Sequence, residues 1–123
     1  MPVNRSNIAR NNKNKGRLFQ QEVRDMILSK FTNLEPDDCR STSMGAGGED
    51  IQFSPLARKT LGIQVECKRK SSFKSLYDFM AQATSHGNKQ PVVVLRQDRS
   101  RPLALVDFEY LLDLIKGKNN EDL

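Results

Sequence analysis

Residues 45–68 read GAGGEDIQFSPLARKTLGIQVECK, and this stretch decides the fold that we predict. From residue 61 to residue 68 apolar and polar side chains alternate, which is typical of a strand with one buried face. Glu66 and Lys68 therefore project from the same face of that strand. If Asp50 lies at the end of a neighbouring strand, its carboxylate converges with that of Glu66. Two carboxylates and one ammonium at one site suit a hard divalent cation and a phosphodiester.

The order of an acidic residue, a hairpin-length gap and then Glu-x-Lys resembles the PD-(D/E)xK nuclease superfamily. Within it, GEDIQFSPLARKTLGIQVECKRK is similar to the phage-type Holliday junction resolvase-like endonucleases, and the resemblance covers residues 16–112. Glu49 stands where the superfamily's name has proline, a residue that is widely lost among its members. The resemblance implies an α/β fold with a restriction-endonuclease-like core, in which helices flank a central mixed β-sheet.

The resemblance also implies a set of catalytic residues. Asp50, Glu66 and Lys68 match the motif itself, and members often place a glutamate of the first helix over the metal, which here is Glu22. The expected cofactor is Mg²⁺, for which Mn²⁺ can substitute, held by Asp50, Glu66 and the backbone carbonyl of Cys67, with Glu22 as an outer ligand. Taken by itself, an acid such as Glu22 at the edge of an apolar stripe is usually a solvated side chain, and only the resemblance favours a ligand role.

Lys68 invites comparison with a general base, but its chemistry favours another role. An unperturbed lysine has a pKa of about 10.4, and two neighbouring carboxylates favour its charged form further. We therefore predict that Lys68 positions water and stabilises charge at the phosphate. The alternative for the whole constellation is an exposed Glu–Lys pair on an edge strand beside an unrelated acid.

Composition limits the possible classes of protein. With 123 residues, 37% of them hydrophobic, the chain is long enough for one packed domain, which we place at residues 16–118. Residues 1–15 are polar and basic without any acid, so we predict a disordered arm. Neither a membrane-length apolar run nor a signal-peptide core is present in the sequence. The two cysteines fit a reduced, cytoplasmic protein of a bacterium or a phage-infected cell.

The periodicities predict the element order α β β β α β β α, an α/β sandwich with a mixed sheet. The predicted helices cover residues 16–31, 71–86 and 108–116, and the predicted strands cover residues 39–44, 49–54, 61–68, 91–97 and 102–106. Residues 56–60 are predicted to form a turn. The run PVVVLRQ, residues 91–97, predicts a strand buried on both faces. The second helix is expected to turn inward Phe73, Leu76, Tyr77, Met80 and Thr84.

Basic and polar side chains mark the expected contacts with DNA. The basic arm is either a solvated tail or a segment that follows a nucleic-acid backbone, and the glycines of residues 45–48 form either a plain hairpin turn or a phosphate cradle. Gln82 matches a glutamine that the related nucleases carry on this helix. The candidate DNA contacts are Arg5, Arg10, Lys13, Lys15, Arg17, Ser41, Ser43, Arg58, Lys59, Arg69, Lys70, Gln82 and Arg99.

These features together predict a Mg²⁺-dependent DNA endonuclease selective for branched DNA, with Holliday junctions as the best candidate. No second domain is evident that would recognise a base sequence, and no aromatic-rich platform suggests stacking on single strands. Paired cuts in a junction require two sites, so a homodimer is expected. Neither a membrane nor a small-molecule cofactor is expected as a partner. The alternatives are a non-selective nicking or degradative nuclease and a non-catalytic basic DNA-binding module.

Overall fold

The computed structural model describes residues 5–42 and 50–121, and it confirms a mixed α/β protein. The helices and strands are α1 (Arg5–Lys30), β1 (Cys39–Ser41), β2 (Ile51–Phe53), α2 (Pro55–Leu61), α3 (Lys74–Thr84), β3 (Val93–Leu95), β4 (Leu103–Leu105) and α4 (Phe108–Glu121), with a short 3-10 helix at Pro36–Asp38. Within the described residues β1 pairs with β2 and β3 pairs with β4, both antiparallel. These strands therefore form two separate two-stranded sheets, whereas we predicted one central mixed sheet.

The chain divides into two compact units. Unit 1 comprises Met1–Arg69 and Ile115–Leu123, and unit 2 comprises Lys70–Leu114. The division near residue 70 falls in the polar run KRKSS, where few apolar side chains are available to make contacts across it. The single domain predicted for residues 16–118 thus includes parts of both units.

Helix α1 supplies one wall of the unit 1 core and packs against β1. Val23, Ile27 and Phe31 are buried at the spacing that the sequence predicts for an apolar stripe. The helix begins at Arg5, so the prediction of a disordered arm is wrong for residues 5–15. Nucleation is the costly step in helix formation, and once the packed half of α1 has formed, further turns add at little cost.

The β1–β2 hairpin supplies the facing wall of this core. Ile51 and Phe53 are buried while Gln52 between them is exposed, as a strand with one solvated face requires. Cys39 lies opposite Phe53 in the pairing register and is also buried. Each such apolar side chain contributes roughly 1.5–3 kcal/mol of transfer free energy when it is fully buried.

A helix replaces the turn that we predicted for residues 56–60. Ser54 caps α2 by accepting a hydrogen bond from the backbone N–H of Ala57 at 3.1 Å, and Pro55 occupies the first turn, where its missing N–H costs nothing. Gly62 ends the helix with a left-handed φ of 66°, which a residue without Cβ adopts readily. Serine-proline before the segment and glycine after it were the available sequence signals.

The strand predicted for residues 61–68 is absent from the structure. Leu61 belongs to α2, and residues 62–70 have no regular secondary structure. The alternation of side chains persists nevertheless: Val65 is half-buried, and Glu66 is exposed. Alternation therefore identified the inward side of this segment correctly, but it did not determine whether another strand pairs with it.

Unit 2 contains α3, the β3–β4 hairpin and the first half of α4. Helix α3 begins at Lys74, three residues after the predicted start, and the hydroxyl of Ser72 accepts a hydrogen bond from the backbone N–H of Lys74 at 3.2 Å. The predicted strand pair is present, but Val94 is 71% exposed, so the prediction of a strand buried on both faces is wrong. A two-stranded sheet offers less cover than the large parallel sheet for which such apolar runs are typical.

Helix α4 starts as predicted and ends later. Asp107 caps it by accepting a hydrogen bond from the backbone N–H of Tyr110 at 3.0 Å, and Leu112 is fully buried. The helix passes through Gly117, where we predicted that it would stop, because this glycine does not adopt the left-handed conformation of a helix terminus. Among the helices of residues 5–42 and 50–121, none has the length and apolar character needed to cross a membrane.

The side chain of Ser54 connects the 3-10 helix at Pro36–Asp38 with α2. We expect Ser54→Ala to destabilise the protein by about 1 kcal/mol. Its hydroxyl donates to the Asp38 carboxylate at 2.6 Å, and it also caps α2. Thermal melting at pH 7 should show a decrease in Tm of about 3–6 °C. Thr60→Val is the matched control, because it removes a hydroxyl that bonds only within α2, and it should change stability by less than about 0.5 kcal/mol.

Acid titration provides a second measurement on the same pair. The Ser54 hydrogen bond, followed by that from the Glu35 backbone N–H, holds the pKa of Asp38 below its ordinary 3.8. The ionised carboxylate therefore stabilises the fold above about pH 4, and this stabilisation is lost as the pH falls through the lowered pKa. The Tm difference between wild type and Ser54→Ala should shrink at pH 3. A difference independent of pH would contradict the assigned role of Asp38.

Candidate active site

Asp50 and the Glu66-Cys67-Lys68 segment lie together in unit 1. Oδ2 of Asp50 accepts a hydrogen bond from the backbone N–H of Cys67 at 2.6 Å. The two residues are 17 positions apart in the chain, so this contact is tertiary. A short bond from an amide to an ionised carboxylate is stronger than one between neutral groups. It holds the Asp50 carboxylate beside the backbone from which Glu66 and Lys68 project.

Thr42 fixes the backbone at Asp50, and the sequence analysis overlooked it. Its backbone N–H donates to the Asp50 carbonyl at 2.9 Å, and its hydroxyl donates to the same oxygen at 3.0 Å. This pair of bonds continues the β1–β2 ladder by one residue beyond Ser41 and Ile51. The side chain of Asp50 is thereby held at the end of β2. A threonine in a strand-like run carries no sequence signal for this role.

Glu66 and Lys68 form an ion pair at the surface. Nζ of Lys68 lies 3.0 Å from Oε1 of Glu66, and the two side chains are 76% and 60% exposed, respectively. The pKa of Lys68 is raised by the hydrogen bond with Glu66 and by the charges of Glu66 and Asp50. Desolvation of the ammonium acts in the opposite direction. Lys68 is therefore a cation at neutral pH. An exposed pair of this kind stabilises the fold little, and both groups remain accessible to a substrate.

The thiol between these two residues is not a nucleophile. Burial, and then the charges of Asp50 and Glu66, raise the pKa of Cys67 to about 11, so the thiolate that would react is scarce at neutral pH. Cys39 is buried, and both cysteines are free thiols. The same two carboxylates thus act electrostatically on Cys67 and on Lys68, which shows that all four groups share one small region.

The donor atoms at this site fit magnesium. Asp50 and Glu66 each use one carboxylate oxygen in the contacts above, and each has a second oxygen for a cation. The backbone carbonyl of Cys67 is the further oxygen donor that the resemblance implies. Among residues 5–42 and 50–121, no group of three or more His, Cys, Asp or Glu side chains is arranged to hold a metal ion. Magnesium usually binds to one or two carboxylates and takes its other ligands from water and substrate phosphates, so this donor set is sufficient.

Glu22 is not brought to this site. It is exposed on α1, and in the described part of the chain no hydrogen bond or ion pair joins it to Asp50, Glu66 or Lys68. Gln20, two residues earlier, is buried and accepts a hydrogen bond from Ser41 at 2.9 Å. A separation of two residues places side chains about 200° apart around a helix, so Glu22 faces away from β1. The described contacts do not join Glu22 to the site, and its role as an outer metal ligand stays a prediction.

The candidate DNA contacts fall into several groups. Arg58 and Lys59 are exposed on α2, and Arg69 follows the candidate site directly. Ser41 donates its hydroxyl hydrogen to Gln20, so this hydrogen is already used within the fold. The remaining exposed candidates are Lys15, Arg17, Lys70, Gln82 and Arg99. Arg5, Arg10 and Lys13 lie on α1, whereas Ser43, Glu49 and the glycines of residues 45–48 lie outside the described residues.

Comparisons with known proteins add no evidence on the function, so its assignment depends on the residues described above. The chain matches no protein-family model, and no curated protein or solved structure matches it at a significant level.

Proposed function

We propose that this protein is a magnesium-dependent DNA endonuclease that cuts branched DNA, with the four-way junction as its preferred substrate. The observation that carries the proposal is the hydrogen bond of 2.6 Å between Oδ2 of Asp50 and the backbone N–H of Cys67. It brings an acid from one strand end to a Glu-x-Lys segment, which is the combination that the PD-(D/E)xK resemblance requires. The restriction-endonuclease-like core is part of the same proposal.

Each side chain has a distinct task in this proposal. Asp50, Glu66 and the Cys67 carbonyl would hold Mg²⁺, which when bound supplies charge neutralisation at the phosphate and activation of water. Lys68, a cation at neutral pH, cannot accept a proton from water, so it donates hydrogen bonds to the phosphate or to the attacking water. Its present partner, Glu66, keeps the ammonium at the site until substrate arrives.

Positive charge supports DNA as the substrate. The chain carries 20 lysines and arginines against 15 acidic residues, and its formal net charge is +5. Exposed Arg58, Lys59 and Arg69 belong to the same unit as the carboxylates and can neutralise backbone phosphates. Backbone contacts of this type respond to the shape of DNA and carry no base sequence, which favours selectivity for a branched structure.

Junction resolution also requires a second active site, and we propose a two-fold dimer. Val94, 71% exposed, and Val92, 45% exposed, lie on the β3–β4 hairpin, and exposed apolar side chains of this kind are a common feature of subunit interfaces. The hairpin is thus a candidate surface for the dimer, and the apolar faces of α1 and of the C-terminal helix α4 are two others. A symmetric dimer would present two Asp50–Glu66 sites to one junction, one for each of the two cuts.

Cleavage assays test the function directly. A supercoiled plasmid that extrudes a cruciform should be cut in the presence of Mg²⁺ and left intact in EDTA, and its main product should be linear because both sites act in one bound lifetime. A synthetic four-way junction should be cut faster than a linear duplex of the same sequence. Equal rates on both would identify a non-selective nuclease. Binding without any cleavage in Mg²⁺ or Mn²⁺ would identify a DNA-binding module instead.

A further inference from the structure

Unit 2 contains a cavity that the nuclease site does not use. It has a volume of about 610 Å³, is open to solvent on one side, and is lined by residues of α3, the β3–β4 hairpin and the start of α4. This volume lies within the range of roughly 300–1,000 Å³ that is typical of pockets for small organic ligands. The side chains predicted to form the inner face of α3 all line it, so the apolar stripe of this helix faces an open space.

Three aromatic side chains line the cavity and could stack on a ligand. Phe73, which directly precedes α3, Tyr77 from α3 and Phe108 from α4 all line it. Tyr77 is 74% exposed although it belongs to the apolar face of its helix, and an exposed aromatic ring of this kind offers a free surface for stacking. The sequence analysis found no aromatic-rich platform because these three rings are up to 35 positions apart in the chain (73 to 108). The fold of unit 2 brings them together.

Polar groups at the same cavity match the edge of a nucleobase. Gln90 lines the wall and offers both an amide donor and a carbonyl acceptor. Asp107, which also lines it, uses Oδ1 to cap α4 and has a second oxygen able to accept from an exocyclic amino group. A flat ring system that both donates and accepts hydrogen bonds is the ligand that three aromatic rings and these two side chains would recognise.

The ammonium of Lys70 lies beside one of the aromatic rings that line the cavity. Nζ of Lys70 lies 4.7 Å from the centroid of the Phe73 ring, a cation–π distance. Lys70 therefore places a positive charge at a residue that lines the cavity, and it follows Lys68 by two positions in the sequence. An aromatic cavity with a charge of this sign beside it is complementary to a base attached to a phosphate.

We propose that this cavity binds an unpaired DNA base, with Lys70 on the adjoining phosphate, and that the protein recognises distorted DNA in this way. The proposal rests on the nuclease function for its biological role, but the binding itself does not require cleavage. Bases at branch points and bulges are the ones available, because a base in a regular duplex must first be unstacked and unpaired at a cost of a few kcal/mol.

Fluorescence anisotropy in EDTA tests the proposal without cleavage. The probes are a labelled duplex with one unpaired deoxyadenosine bulge, whose base carries an exocyclic amino group, and the same duplex fully paired. Wild type should bind the bulged probe more tightly, and Tyr77→Ala should weaken that binding about 5- to 150-fold, the range found for loss of one stacked base. Tyr77→Phe keeps the ring and should retain the affinity. Binding of the paired probe should be nearly the same for all variants.

Phe79→Ala is the matched control, because Phe79 is an exposed ring of the same helix that does not line the cavity. It should leave both affinities unchanged, and thermal melting of each variant should confirm that unit 2 is folded. Equal weakening by Tyr77→Ala and Phe79→Ala, or none by either, would overturn the proposal. So would a Tyr77→Ala variant that loses self-association in sedimentation but keeps its bulge affinity, since the cavity would then be covered by a second copy. If the protein shows no nuclease activity but its binding of the bulged probe still depends on Tyr77, the base-binding proposal stands and the nuclease proposal fails.

Discussion

Glu66→Gln and Asp50→Asn should each reduce Mg²⁺-dependent DNA cleavage by at least about a thousandfold. Each change removes one of the two carboxylates proposed to hold the ion. Charge stabilisation by a bound metal amounts to several kcal/mol, and every 1.36 kcal/mol of barrier corresponds to a tenfold change in rate. Single-turnover cleavage of a four-way junction at saturating enzyme isolates this effect from binding. Junction affinity measured in EDTA should be unchanged or tighter, because a negative charge near the phosphates is lost.

The two variants differ in what they test structurally. An asparagine at position 50 can still accept the Cys67 N–H through its amide oxygen, so the contact at 2.6 Å survives in weaker, uncharged form. Asp25→Asn is the control, since Asp25 pairs with Arg24 on α1 and has no part in the proposed site. It should cleave at the wild-type rate. Wild-type cleavage by either site variant, with normal melting, would remove these carboxylates from the mechanism.

Lys68→Ala should lower the cleavage rate about a hundred- to thousandfold, whereas Lys68→Arg should retain most of the activity. The contact with Glu66 raises the pKa of Lys68, so the side chain acts as a charged donor rather than as a base. Loss of one donor that stabilises charge in a transition state typically costs 10²–10³-fold. Arginine preserves the charge and the donors but cannot be deprotonated in a protein. Single-turnover rates in Mg²⁺ at neutral pH measure both effects.

Lys59→Ala provides the comparison for general loss of positive charge. Lys59 is an exposed lysine of α2, and its removal should weaken DNA binding slightly without changing the rate at saturating enzyme. An inactive Lys68→Arg variant that binds the junction normally would argue that lysine itself transfers a proton. Full activity of Lys68→Ala would show that the ion pair with Glu66 has no role in cleavage.

Local pattern predicted several elements correctly. The stripe Val23, Ile27 and Phe31 identified the buried face of α1, and the alternation in residues 51–53 identified the inward side of β2. The β3–β4 hairpin and the cap of α4 at Asp107 also lie where turn and capping signals place them. Each of these features depends on residues within one or two turns of each other, and steric and hydrogen-bonding preferences over that range are contained in the sequence.

The same local pattern was misleading where a distant partner decides the outcome. Residues 63–68 alternate as a strand does, but a strand exists only when another strand pairs with it, and in the described residues none does. For residues 56–60 we predicted a turn, but the cap signals at Ser54 and Gly62 mark a helix over Pro55–Leu61. Propensity over a few residues is a weak determinant when tertiary packing can override it.

The sequence alone determined which residues were candidates for the chemistry: Asp50, Glu66 and Lys68 were identifiable from residue type and spacing. Tertiary structure decided which of the candidates meet. It joined the Asp50 carboxylate to the Cys67 backbone and bonded Thr42 to the Asp50 backbone carbonyl. It also gathered three aromatic rings around one cavity in unit 2. Contacts between residues 17 or more positions apart depend on how whole segments pack, and no local periodicity specifies that packing.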